Sequence, residues 1–156
     1  TYQNKEQKYS LNYPKDLTLK ESSYGFGINT TELRSEDNSD PEYAPDVQIL
    51  TVPKGIAKAI GQDFESYYAM AANTSKVIKS PIGESDTAES FTKVRNREIN
   101  GLRAIDYTSV PSPNPDKRSP ELGTMVETTG ALVIFASGSD DREQVEEVLK
   151  TFTFTK

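Results

Sequence analysis

The chain has 156 residues, 34% hydrophobic and 27% charged, with a formal charge of −6 and neither cysteine nor histidine. That length fits one domain (residues 1–156) with a core large enough to fold unaided, and the acidic balance argues against a nucleic-acid partner. Without cysteine there is no disulfide and no thiolate metal site, and no apolar run approaches the roughly 20 residues that span a membrane.

Residues 1–7 read as an N-terminal tail. Tyr9, Leu11 and Tyr13 alternate with Lys8, Ser10 and Asn12, the period-two pattern of a half-buried strand, and Pro14 ends it. Leu17 and Leu19 open a second strand; Tyr24, Phe26 and Ile28, alternating with two glycines and Asn29, predict a third. From Arg34 to Asp46 the chain is acidic and carries Pro41 and Pro45, so residues 34–46 read as a surface loop. Val47 to Val52 is a fourth strand, stopped by Pro53. Phe64, Tyr67, Tyr68 and Ala71 recur at helical spacing on one face, with Asn73 as terminator. Val77 and Ile78 suit a short strand, and residues 82–90 a polar connection.

Asn100-Gly101 supports the positive backbone angles of a two-residue hairpin turn. The register that follows pairs Ile99 with Leu102, Glu98 with Arg103, Arg95 with Asp106, Val94 with Tyr107 and Phe91 with Val110, apolar against apolar and acid against base. The proline-rich residues 111–120 cannot form a central strand and read as a second surface loop. Residues 123–128 predict a strand. The unbroken apolar run Ala131-Leu-Val-Ile-Phe-Ala136 predicts a central strand covered on both faces. Asp140 and Glu143 have capping-box spacing ahead of a helix whose face is Val145, Val148, Leu149 and Phe152. Strands, a helix, a strand meander and a final helix make an α+β layer protein.

Tyr9-Ser-Leu-Asn-Tyr-Pro14, Phe64-Glu-Ser-Tyr-Tyr68, Ile99-Asn-Gly101 and Val148-Leu-Lys-Thr-Phe-Thr-Phe154 together resemble the PsbP family. Plant members of that family are extrinsic subunits of photosystem II, bacterial relatives are often exported lipoprotein domains, and a nuclear Ran-binding factor shares the fold. The resemblance implies a central antiparallel β-sheet with helices on both faces, an α/β/α sandwich. It also implies an extracytoplasmic location, lipid-anchored through a segment upstream of Thr1. The family's metal sites use histidine, which this chain lacks, so no functional residue is carried over.

Nucleophilic chemistry without histidine or cysteine leaves a Ser–Lys pair, and Ser90-Phe-Thr-Lys93 matches S-x-x-K. On a strand those two side chains point to opposite faces, so the match is read as chance. Asp140/Asp141 and Glu146/Glu147 are adjacent pairs that capping and solubility explain. Glu36, Asp37, Asp40, Glu42 and Asp46 face one base, Arg34, a local charge of −4. The expected state is a solvated loop; weak calcium binding is the minor alternative, because the spacing departs from an EF-hand. Lys93, Arg95 and Arg97 alternate and so share one sheet face, opposite Val94, Ile105 and Tyr107, as a solvated stripe or a dock for an anionic partner. Asn29-Thr-Thr31 and Asn73-Thr-Ser75 fit the glycosylation triplet, which is frequent by chance.

The reading is therefore a non-enzymatic, extracytoplasmic binding or assembly module with no catalytic, cofactor or metal residues. Its partner is a protein or membrane-associated complex, met through 34–46, 111–120 or the Lys93–Arg97 stripe. The alternatives are a carboxylate- or divalent-metal-dependent hydrolase and a cytosolic protein-binding regulator.

Overall fold

β-branched and aromatic residues at alternate positions drive about half of the described residues into strands. The computed structural model describes residues 1–40, 44–79, 88–111, 121–137 and 142–154. In chain order they form β1 (Tyr2–Asn4), β2 (Tyr9–Leu11), β3 (Leu17–Ser23), β4 (Asn29–Ser35), a 3-10 turn (Glu36–Asn38), β5 (Val47–Pro53), α1 (Lys54–Ala59), α2 (Phe64–Ala69), β6 (Ser75–Lys79), β7 (Ala88–Ile99), β8 (Leu102–Pro111), β9 (Glu121–Glu127), β10 (Ala131–Ser137), α3 (Glu143–Thr151) and β11 (Thr153–Phe154). Eight strands make one antiparallel sheet in the order β3-β4-β5-β10-β9-β8-β7-β6, and β1-β2-β11 make a second, smaller one.

The continuous apolar run lands where its composition demands. β10 lies between β5 and β9 with all seven residues buried. Each face of the large sheet has its own core. On one, Leu11, Val47, Val133, Phe135, Val148 and Phe152 pack between the sheet, α3 and the three-stranded sheet. On the other, Val52, Ala57, Phe64, Tyr67, Phe91 and Ile105 pack beneath α1 and α2.

The helix-flanked α/β/α sandwich is therefore overturned: the protein is predominantly β, with helices, among the described residues, of only six, six and nine residues. The physical reason lies in both termini. Residues 1–7, read as a tail, contain β1, and β1, β2 and β11 form a sheet where a helical layer is expected. That sheet is fastened by aromatic contacts. The Tyr9 ring lies 5.3 Å from Phe152, and the Tyr9 and Thr51 hydroxyls share a 2.9 Å hydrogen bond. The mid-chain helix is also shorter than its periodicity suggests, since α2 ends at Ala69 and Ala71 is exposed beyond it.

Two strand readings change as well. Tyr24 to Ile28 form the turn between β3 and β4, because Gly25, Phe26 and Gly27 take φ values of +82°, +52° and +75°. The Asn100-Gly101 hairpin keeps its expected pairs at Ile99–Leu102, Glu98–Arg103 and Arg95–Asp106. A β-bulge at Val94 then slips the register, so that Lys93, not Val94, opposes Tyr107, and Phe91 opposes Ser109.

Candidate functional site

One end of the molecule gathers turns from both sheets. β1 and β2 join through residues 5–8, where the Gln7 amide donates to Asn4 Oδ1 at 2.8 Å and Lys8 has φ +56°. β9 and β10 join through residues 128–130: the Thr128 hydroxyl donates to the Ala131 carbonyl at 2.9 Å and accepts from the Ala131 amide at 3.0 Å. The Lys54 amide, opening α1, donates to the Gly130 carbonyl at 2.9 Å. Glu6, Gln7, Lys8, Thr129, Gly130 and Phe154 line an open hollow of about 420 Å³ between these turns.

The β3–β4 turn stands beside this hollow. A Cβ added at Gly27 would lie 3.0 Å from Cγ of Pro53 and 3.7 Å from Oε1 of Glu6, so the turn is seated closely on β5 and on the 5–8 turn. It closes on itself: the Tyr24 amide donates to the Ile28 carbonyl and the Ile28 amide to the Gly25 carbonyl, both at 2.9 Å. Ile28 is buried, yet Phe26 is 85% exposed and Tyr24 53% exposed. A left-handed backbone costs a non-glycine residue roughly 1–2 kcal/mol, and a bulky aromatic there is an outlier. Here that conformation is held while the ring it carries contributes nothing to the core.

Ion pairs border the site on the α2 side. Lys54 pairs with Glu127 at 2.8 Å, and Arg103 reaches both Glu127 and Glu65 while its guanidinium lies over the Phe64 and Tyr68 rings, at 5.4 and 5.1 Å. The hydrogen bond from Arg103 holds the Glu65 carboxyl below its usual range.

The residues singled out in the sequence are distributed differently from expectation. The bulge at Val94 breaks the basic stripe. Lys93 turns to the α2 face and is only 2% exposed, its ammonium donating to the carbonyls of Tyr68 and Met70, both at 2.6 Å, and lying over the Tyr68 ring. Burial lowers its pKa. Arg95 and Arg97 stay on the opposite face, where they meet Asp106, with Arg142 and Glu146 of the α3 region completing the cluster. Burial pushes the Asp106 carboxyl up, but hydrogen bonds from Thr124 and Arg95 and the charges of Arg142 and Arg97 outweigh it and hold it below the ordinary value. Glu146, read as a solvated partner of Glu147, is thus an internal ion-pair residue. Ser90 and Lys93, three apart in the regular part of β7, face opposite sides of the sheet.

In the acidic loop, Arg34 takes up carbonyl oxygens a cation would need, donating to those of Asn38 at 3.4 Å and Asp40 at 3.0 Å, and Asp46 accepts the Ser35 amide at 2.6 Å. Among the described residues no three acids converge as metal ligands. Glu42, the loop residues 112–120, and Asp140 and Asp141 lie outside the described residues; the position that precedes α3 is Arg142.

The sequence reading missed Phe26 as a surface residue because Tyr-Gly-Phe-Gly-Ile has the alternation of a strand. The available signal was the pair of glycines at i and i+2, which weakens a strand and suits a turn. Among the described residues no helix is long and apolar enough to cross a membrane. No family model, no curated protein and no solved structure matches the chain.

Proposed function

We propose that this chain is a non-enzymatic docking module that engages its partner through the end of the sheet built by residues 5–8, 24–28 and 128–130. The observation that carries this reading is Phe26: an aromatic side chain held on a left-handed backbone with 85% of its surface in solvent. Strained backbone positions cluster at active sites, ligand clamps and switch regions. Tyr24 beside it supplies the amphipathic ring type that is enriched in recognition surfaces. The turn that carries both rings is closed by its own backbone hydrogen bonds, Tyr24 to Ile28 and Ile28 to Gly25, without help from a partner.

A photo-crosslinking side chain at position 26, compared with one at exposed Asp37 beyond the far end of β4, tests the assignment. In a preparation from the cells that make the protein, adducts are expected from position 26 and not from 37. Excess unlabelled protein should suppress them, whereas excess Phe26→Asn protein should not. Equal labelling from both positions, or none from 26, would overturn the reading.

A further inference from the structure

We infer that the surface met by this end is the interface of a phospholipid bilayer, with Phe26 and Tyr24 entering the headgroup and upper acyl region; this rests on the docking reading above.

Area is the first argument. Large aromatic side chains offer roughly 150–250 Å² each, so two partly exposed rings on one turn fall well short of the ~800 Å² per partner of a stable protein interface. Shallow insertion into a fluid interface has no such minimum. Charge is the second. Residues 22–31, Ser-Ser-Tyr-Gly-Phe-Gly-Ile-Asn-Thr-Thr, contain no Asp, Glu, Lys or Arg in a chain that is 27% charged, so the leading part of the turn enters without burying an ion. Glu21 and Glu32 flank that stretch in the strands, and the adjoining 5–8 turn carries Lys5 and Lys8 against Glu6. The backbone is the third. The Tyr24 and Ile28 amides are satisfied within the turn, whereas among the described residues those of Gly25, Phe26 and Gly27 donate to no protein acceptor. Three successive amides without a protein acceptor are left to donate to water or to the acceptor oxygens of phosphodiester headgroups. A Phe at the apex with a Tyr two residues back follows the polarity gradient that such side chains adopt at a membrane surface.

The chain has no tryptophan, so Phe26→Trp introduces a single fluorophore at the apex. Titrated with phosphatidylcholine vesicles, this variant should show a blue-shifted emission that lipids brominated near the headgroup quench more than deeply brominated ones. Half-binding is expected above the ~0.1 mM of a single myristoyl chain, whose apolar surface is larger. Replacing a third of the lipid by phosphatidylglycerol should tighten binding by no more than about fivefold for each uncompensated lysine. Tyr24→Ser in the same background should weaken it. Wild-type protein should co-sediment with the vesicles and Phe26→Asn should not, which covers the case in which the tryptophan disturbs the turn. No emission shift on either vesicle together with no co-sedimentation of wild-type protein overturns the inference. If that occurs while position 26 still crosslinks a soluble protein, the lipid surface is excluded and the docking reading stands; if crosslinking also fails, both fall.

Discussion

Two regions of this protein set an aromatic ring against glycine, and they do it for opposite reasons. In the core, Tyr107 lies across Gly123 on the neighbouring strand, where an added Cβ would come within 2.6 Å of Cε1, and the ring continues a column with Phe91 and Tyr67 at centroid spacings of 4.8 Å. That glycine supplies space, and the ring is buried. At the β3–β4 turn, Gly25 and Gly27 supply backbone freedom around Phe26, and the ring is in solvent. The first pairing stabilises the fold; the second does nothing for it. The same residue types therefore separate a packing device from a surface device, and only burial distinguishes them.

Gly123→Ala should give the largest effect, about 3 kcal/mol of destabilisation measured by urea denaturation, because the Tyr107 ring must leave its place in the column. A small change would show that the column repacks freely and would break the comparison. The alkaline limb comes next. Burial, and then the charge of Asp63, push the Tyr67 hydroxyl up to about 12, and burial raises Tyr9 as well. For an acid whose folded pKa exceeds the unfolded value near 10, both states hold the proton below pH ~10. Between there and about 12 the unfolded chain releases a proton that the folded chain keeps, so stability falls as pH rises. A loss of about 2 kcal/mol across that window is expected from Tyr67, and Tyr67→Phe should remove it.

Phe26→Asn should raise stability by about 1 kcal/mol at neutral pH, since asparagine tolerates the left-handed backbone and little buried surface is lost. Destabilisation in a thermal melt would mean that the ring is structural after all. The smallest change is expected for Tyr67→Phe at pH 7, within about 1 kcal/mol and favourable in sign, because the buried hydroxyl has no hydrogen-bond partner among the described residues. Together the two aromatic variants sharpen the contrast: one removes an exposed ring under strain, the other keeps a buried ring and deletes only its unpaired oxygen.

Much of the strand framework was legible in the residues. Val47–Val52, Ala131–Ala136 and the Asn100-Gly101 hairpin carry their own local reasons, namely apolar alternation, a fully apolar run and a turn type with strict backbone demands. The apolar face of α3 was legible for the same reason, with Val145, Val148 and Leu149 buried, while Phe152 is buried just past the helix end in extended backbone. The candidate site was not. Tyr24, Phe26 and Ile28 alternate as well as any strand, and which member of such a series is buried depends on where the chain reverses. The bulge at Val94 is equally silent: one extra residue in β7 sends Lys93 under α2 and leaves Arg95 with Asp106, which dissolves a basic stripe that the alternation implied.

What the amino-acid order determined alone is therefore local: strand-forming segments, one turn, a helical face, and the absence of imidazole and thiol chemistry. Tertiary structure decided which layer covers each face of the large sheet, because the short terminal segments become strands only when β1, β2 and β11 can pair across 143 residues of sequence, as Ser10 and Thr153 do. It also decided that Phe26 faces water, since the seating of Gly27 on Pro53 and Glu6 fixes the turn against residues far away in the chain. Backbone preference is a property of neighbours in sequence, whereas burial is a property of neighbours in space.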